Sequence, residues 1–154
     1  MAKPNPQGGL VIRYDYLWAS ERLEGREEGS KNRPCAVVLA LSHSHGETER
    51  VVICGITHSE PTPPDEGVEI PAKVKRHLGL DVERSWAILS EGNLVDWDDP
   101  GIIPVAPDQW AYGFIPPAMA EDMARRMLGR YKTGQLPLAN RAQTEQRRAG
   151  RDDE

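Results

Sequence analysis

No stretch of these 154 residues is apolar for long enough to cross a bilayer, so no membrane-spanning helix is expected in them. The opening Met1-Ala2-Lys3-Pro4-Asn5-Pro6 also lacks the continuous apolar core of a secretory signal, so a cytoplasmic location is expected. Cysteine is scarce. Cys35 and Cys54 are the only two, too few for a disulfide framework, and each sits inside an apolar run where a small buried thiol is common. No CxxC spacing or nearby histidine pair accompanies them, so they are not expected to hold a metal. The apolar fraction is low, at 38%, with a mean hydropathy of -0.59. The 14 Gly and 13 Pro point to many turns and loose ends around a single domain. The net charge of -5 argues against nucleic-acid binding through broad attraction alone. A local basic groove is still allowed, because part of that charge lies in the Asp152-Asp153-Glu154 end.

What is present is a series of short runs. Leu10 to Tyr16 begins apolar and then alternates, as a strand does with one face on a core. Residues 1–8 before it read as a flexible arm, and Glu21 to Lys31 after it as a long charged loop. Two β-branched runs follow, Arg33 to Leu39 and Val51 to Thr57, with polar groups at one end of each. If they pair as antiparallel neighbours, the start of the first lies beside the end of the second. A fixed cation, Arg33, then lies near the hydroxyl of Thr57, with His58 and Ser59 adjacent. Between the runs, His43-Ser44-His45-Gly46 has the residues of a hairpin turn, with metal binding as the less favoured use.

Further strands are expected at Val68 to Ile70, Trp86 to Leu89 and Asn93 to Trp97, with an edge strand at Ile102 to Val105 limited by Pro104. Pro71 and Gly79 bracket a short helix. A second helix is marked by Met119, Met123 and Met127, with Ala120, Ala124, Leu128 and Tyr131 widening the same stripe. From Thr133 the chain is polar, charged and without apolar period, and is expected to be disordered. The pattern implies a mainly β domain with α elements: a small, bent antiparallel barrel over residues 9–131, followed by a charged tail over 132–154. Trp86 and Trp97 fall in strands and are expected in the core, whereas Trp18, beside the charged loop, is the better base-stacking residue.

The order of these pieces resembles the PemK/MazF group of toxin–antitoxin ribonucleases. Gly9-Leu10-Val11-Ile12 is similar to that family's glycine-led first strand, Arg33-Pro34 to its Arg-Pro signature, Ile56-Thr57 to its Ile-Thr strand ending, and Asn93 to Trp97 to a later strand. The resemblance spans about residues 9 to 130. It implies an SH3-like barrel, a homodimer, an antitoxin partner, and growth inhibition by metal-independent endonucleolytic cleavage of single-stranded RNA, with no cofactor. It also implies that Arg33 and Thr57 are the catalytic pair; Trp18, His58 and Ser59 are then expected to bind substrate. Two departures bear first on RNA preference: Leu10 stands where the family usually has an acidic residue, and the loop before Arg33 is longer and rich in Glu and Arg. A non-catalytic barrel serving as a binding or regulatory module is the alternative. A second, shorter likeness lies in Ile70 to Leu80, which resembles a segment of AbrB-like transcription regulators. The shared need for a proline-started, glycine-stopped helix between strands accounts for it.

Overall fold

The computed structural model describes residues 2–25, 29, 31–41 and 49–142. The described chain is a mainly antiparallel sheet curled into a half-barrel, with three helices packed around it. Its strands are β1 (Leu10–Tyr14), β2 (Arg33–Leu41), β3 (Arg50–Thr57), β4 (Gly67–Glu69), β5 (Trp86–Ile88), β6 (Gly92–Asp96), β7 (Gly113–Phe114) and β8 (Leu138–Asn140). The helices are α1 (Ala19–Leu23), α2 (Ala72–Leu78) and α3 (Pro117–Lys132).

The strands run β4-β5-β3-β2-β1-β7, and β6 joins β3 and β8. The centre of this arrangement is β3. One edge pairs with β2 from Arg50 to Gly55, with a bulge between Val37 and Leu39, while the other pairs first with β6, through Arg50 to Ile53, and then with β5, through Ile56 and Thr57. A strand shared in this way must bend, and the bend falls at Cys54 and Gly55. Both faces of β2 and β3 are covered. Ala36, Val38, Val52, Cys54 and Ile56 pack under Leu78 of α2 and Met123 and Met127 of α3. Cys35, Val37, Val51 and Ile53 pack on the other side with Ile12, Tyr14, Val95 and Trp97. Two-sided burial is why these strands read as unbroken apolar runs rather than alternating ones. It also puts the two free thiols on opposite faces, with burial pushing the Cys54 thiol up to about 12.

The β2 and β3 runs, the Val68 and Trp86 strands and both expected helices form, and Trp86 and Trp97 are buried. Gly79 closes α2 in the left-handed region, at φ 70°, where a side chain would be strained. Other segments differ from the sequence expectations. β1 ends at Tyr14, because Asp15 turns away to meet Arg141; Tyr16 is nevertheless fully buried. Part of the expected charged loop is α1, whose first turn is tied by Glu21 accepting from the Trp18 backbone N–H. Ile102 to Val105 is no strand; Ile103 makes one isolated bridge to Arg13. The α3 stripe is narrower than expected, since steps of four residues drift around the helix and leave Leu128 and Tyr131 exposed. The arm is not free along its length: Trp97 Nε1 donates to the Pro4 carbonyl, and the Lys3 ammonium lies over the Trp97 ring.

The expected disorder from Thr133 is also corrected for residues 133–142. β8 adds to β6 in parallel, and Arg141, 9% exposed, reaches back into the sheet. There it donates to the Asp15 carbonyl and carboxylate and to Asn93 Oδ1, with its guanidinium over the Tyr14 ring. No local apolar period marks this stretch, because long-range pairing holds it. The His43–Gly46 turn and the rest of the tail lie outside the described residues.

Candidate functional site

The β2–β3 register sets Cys35 opposite Gly55. Beyond that last pair, Arg33 begins β2 and Thr57 ends β3, each two residues further along its strand. Both line a cavity of about 350 Å³ formed by the start of β2, the end of β3 and the segment joining α2 to β5. His58 and Ser59 line it too. Because β3 stops at Thr57, strand alternation no longer applies, and three consecutive polar side chains reach the same hollow.

Arg33 carries the most informative geometry. Its guanidinium carbon lies 5.0 Å from the centre of the Trp18 ring, a cation–π contact. Its Nε is buried without a hydrogen-bond partner, and among the described residues no carboxylate pairs with it. A donor nitrogen denied both water and a partner is costly unless something else arrives to satisfy it, although Arg33 as a whole is only partly buried. Trp18 in turn meets Tyr16 edge-on at 4.6 Å and lies directly over Gly55. A Cβ at residue 55 would sit 2.7 Å from Trp18 Cη2, so only glycine leaves room for the indole that supports Arg33. Sequence reasoning missed Gly55, although a lone glycine inside a strand is the usual signal for such a close approach.

The opposite wall is an ion network that sequence spacing could not reveal. Lys75, on α2 and 4% exposed, donates to Asp81 at 2.6 Å, to Ser85 Oγ at 2.7 Å and to the Glu83 carbonyl. Asp81 also faces His58 Nε2 at 2.8 Å, and Glu83 faces His58 Nδ1 at 3.2 Å. The Lys75 hydrogen bond, helped by His58, holds the Asp81 carboxyl below its ordinary value. Thr57 Oγ1 accepts from the Ser59 backbone N–H, which fixes the turn leaving β3. The Ile70–Leu80 segment thus supplies α2 and, through Lys75, part of this wall.

Trp18, proposed for stacking, does not line this cavity. It lines a neighbouring one of about 430 Å³, which shares Thr57 and Ser59 with the first. Among the described residues, no group of three or more histidine, cysteine or acidic side chains could hold a metal ion, and no helix is long and apolar enough to cross a membrane.

No family model, curated protein or solved structure matches the chain. The reading of the site therefore rests on its geometry and on the short motifs in the sequence.

Proposed function

We propose that this protein is a metal-independent endoribonuclease of the PemK/MazF toxin type, built on an SH3-like barrel, acting as a homodimer on single-stranded RNA and controlled by an antitoxin. The observation that carries the reading is the Arg33 guanidinium, without a carboxylate partner among the described residues and with its Nε unsatisfied, lining one open cavity with the Thr57 hydroxyl, where an incoming phosphodiester would supply a counter-charge.

The chemistry suited to these groups is attack by the RNA 2′-hydroxyl on its own phosphate. The O2′–P bond forms, the P–O5′ bond breaks, the 2′ proton passes to a base, and the leaving O5′ takes a proton from an acid. Arg33 would bind two phosphate oxygens through its planar fork and stabilise the charge that grows on them. Thr57, too weak a base at its ordinary pKa, would position the phosphate or the 2′-hydroxyl by hydrogen bonding. His58 is the imidazole within the cavity, and Asp81, anchored by Lys75, sets its orientation. The product pair is a 2′,3′-cyclic phosphate and a 5′-hydroxyl.

A binding or regulatory module that kept the barrel without catalysis is the second reading. It is favoured by the net charge of -5 and by the two carboxylates that occupy both nitrogens of His58. Incubation of single-stranded RNA with the purified protein in EDTA separates the two. Cleavage leaving cyclic phosphate ends, reduced at least about 10²-fold in Arg33→Ala and not restored by Arg33→Lys, supports the nuclease. Intact RNA across diverse substrates favours the binding module.

A further inference from the structure

The two cavities have opposite electrostatic character. Among the described residues, the first is lined by Lys31, Arg33 and Lys75 with one carboxylate, Asp81, whereas the second is lined by three carboxylates, Glu60, Asp65 and Glu91, and no lysine or arginine. A phosphate is drawn to the first and repelled from the second. The second nevertheless offers an indole, Trp18, and the aliphatic Ile88, surfaces suited to a flat uncharged ring. Both cavities include Thr57 and Ser59, so they adjoin, as a phosphate site and a site for its attached nucleoside must.

Glu91 is held in place within this second cavity. Its Oε2 accepts from the Ala19 backbone N–H at 2.8 Å and from the Tyr16 hydroxyl at 3.3 Å, while Oε1 has no hydrogen-bond partner among the described residues. One fixed, free carboxylate oxygen beside an indole is an acceptor for an amino group carried on an aromatic ring. From this we infer that the second cavity is a nucleobase subsite, in which Trp18 stacks the base next to the bound phosphate and Glu91 accepts a hydrogen bond from its exocyclic amino group. Cytosine, adenine and guanine carry such a group, whereas uracil presents carbonyl oxygens on either side of its single N–H and is repelled by the carboxylates. Glu91 is then a specificity-determining residue. The inference rests on the RNA reading above and deepens it.

The test uses four fluorescein-labelled pentanucleotides of sequence UUXUU, with X each of the four bases and 2′-fluoro sugars throughout to prevent cleavage. Binding is read by fluorescence anisotropy. The three amino-bearing oligonucleotides are expected to bind about tenfold more tightly than the all-uracil one. Glu91→Gln, which keeps an acceptor for Ala19, should compress that preference to about twofold or less, and Trp18→Ala should weaken all four. Equal binding of all four by the native protein, lost in Arg33→Ala, overturns the base subsite while leaving the phosphate site standing. A preference that survives Glu91→Gln also overturns it. No binding by any of the four overturns the subsite and the RNA reading together.

Discussion

Replacing Gly55 by alanine tests the physical support of the site without reference to any substrate. The backbone there does not lie in the left-handed region, so alanine meets no conformational barrier. What it meets is Trp18: the new Cβ would lie 2.7 Å from Cη2 and 3.0 Å from Cζ2, with Tyr16 Cδ1 at 3.1 Å. The indole has to move, and Arg33 loses the ring it lies over. Overfilling a packed contact of this kind costs about 1–3 kcal/mol, against a gain of about 0.4–1 kcal/mol from stiffening the unfolded chain. The clash is with one large side chain, so its removal should remove most of the penalty. Urea unfolding of the native protein, Gly55→Ala, Trp18→Ala and the double variant measures this coupling. The expected result is a loss of about 1–2 kcal/mol for Gly55→Ala in the native background and a near-zero effect in Trp18→Ala. An equal loss in both backgrounds would refute the claim that residue 55 is glycine to make room for Trp18.

Three further outcomes follow from the packing. Arg141→Ala should lower stability by about 2–3 kcal/mol in urea, because it strips donors from Asn93 and from the partly buried Asp15. An unchanged midpoint would show that the Arg141 contacts contribute nothing to stability. Glu66 accepts from Arg126 and Arg130 of α3, and those hydrogen bonds depress its carboxyl pKa. Its contribution, limited by exposure to about 0.5–1 kcal/mol, should be complete above the ordinary glutamate range and disappear as pH falls through the lowered folded value. In Glu66→Gln the part of the acid-side slope due to this group should be absent, as pH-dependent thermal melts can show. Finally, Cys35 and Cys54 are buried and shifted upward, so neither should react with a thiol reagent at pH 8 until the protein unfolds. Rapid labelling in native buffer would contradict that burial.

Much of the sheet is legible in the sequence because its strands announce themselves locally. The β2 and β3 runs are continuous and β-branched, α2 is bracketed by Pro71 and Gly79, and the methionine stripe marks α3. The meeting of Arg33 and Thr57 at one cavity was legible too, since consecutive antiparallel runs bring the start of one to the end of the next. The remainder depends on contacts between residues far apart in the chain. The bend that divides β3 between β6 and β5, the wedge of Trp18 over Gly55, and the meeting of His58 with Asp81 are long-range contacts without a repeat or spacing signal. β8 belongs with them, because a strand of only three residues is recruited by the open edge of β6 and by Asn93 and Asp15 waiting for Arg141. Local pattern determines which segments extend and which coil. Where their charges end up, and which remain unpaired, is decided only when the sheet closes and excludes water.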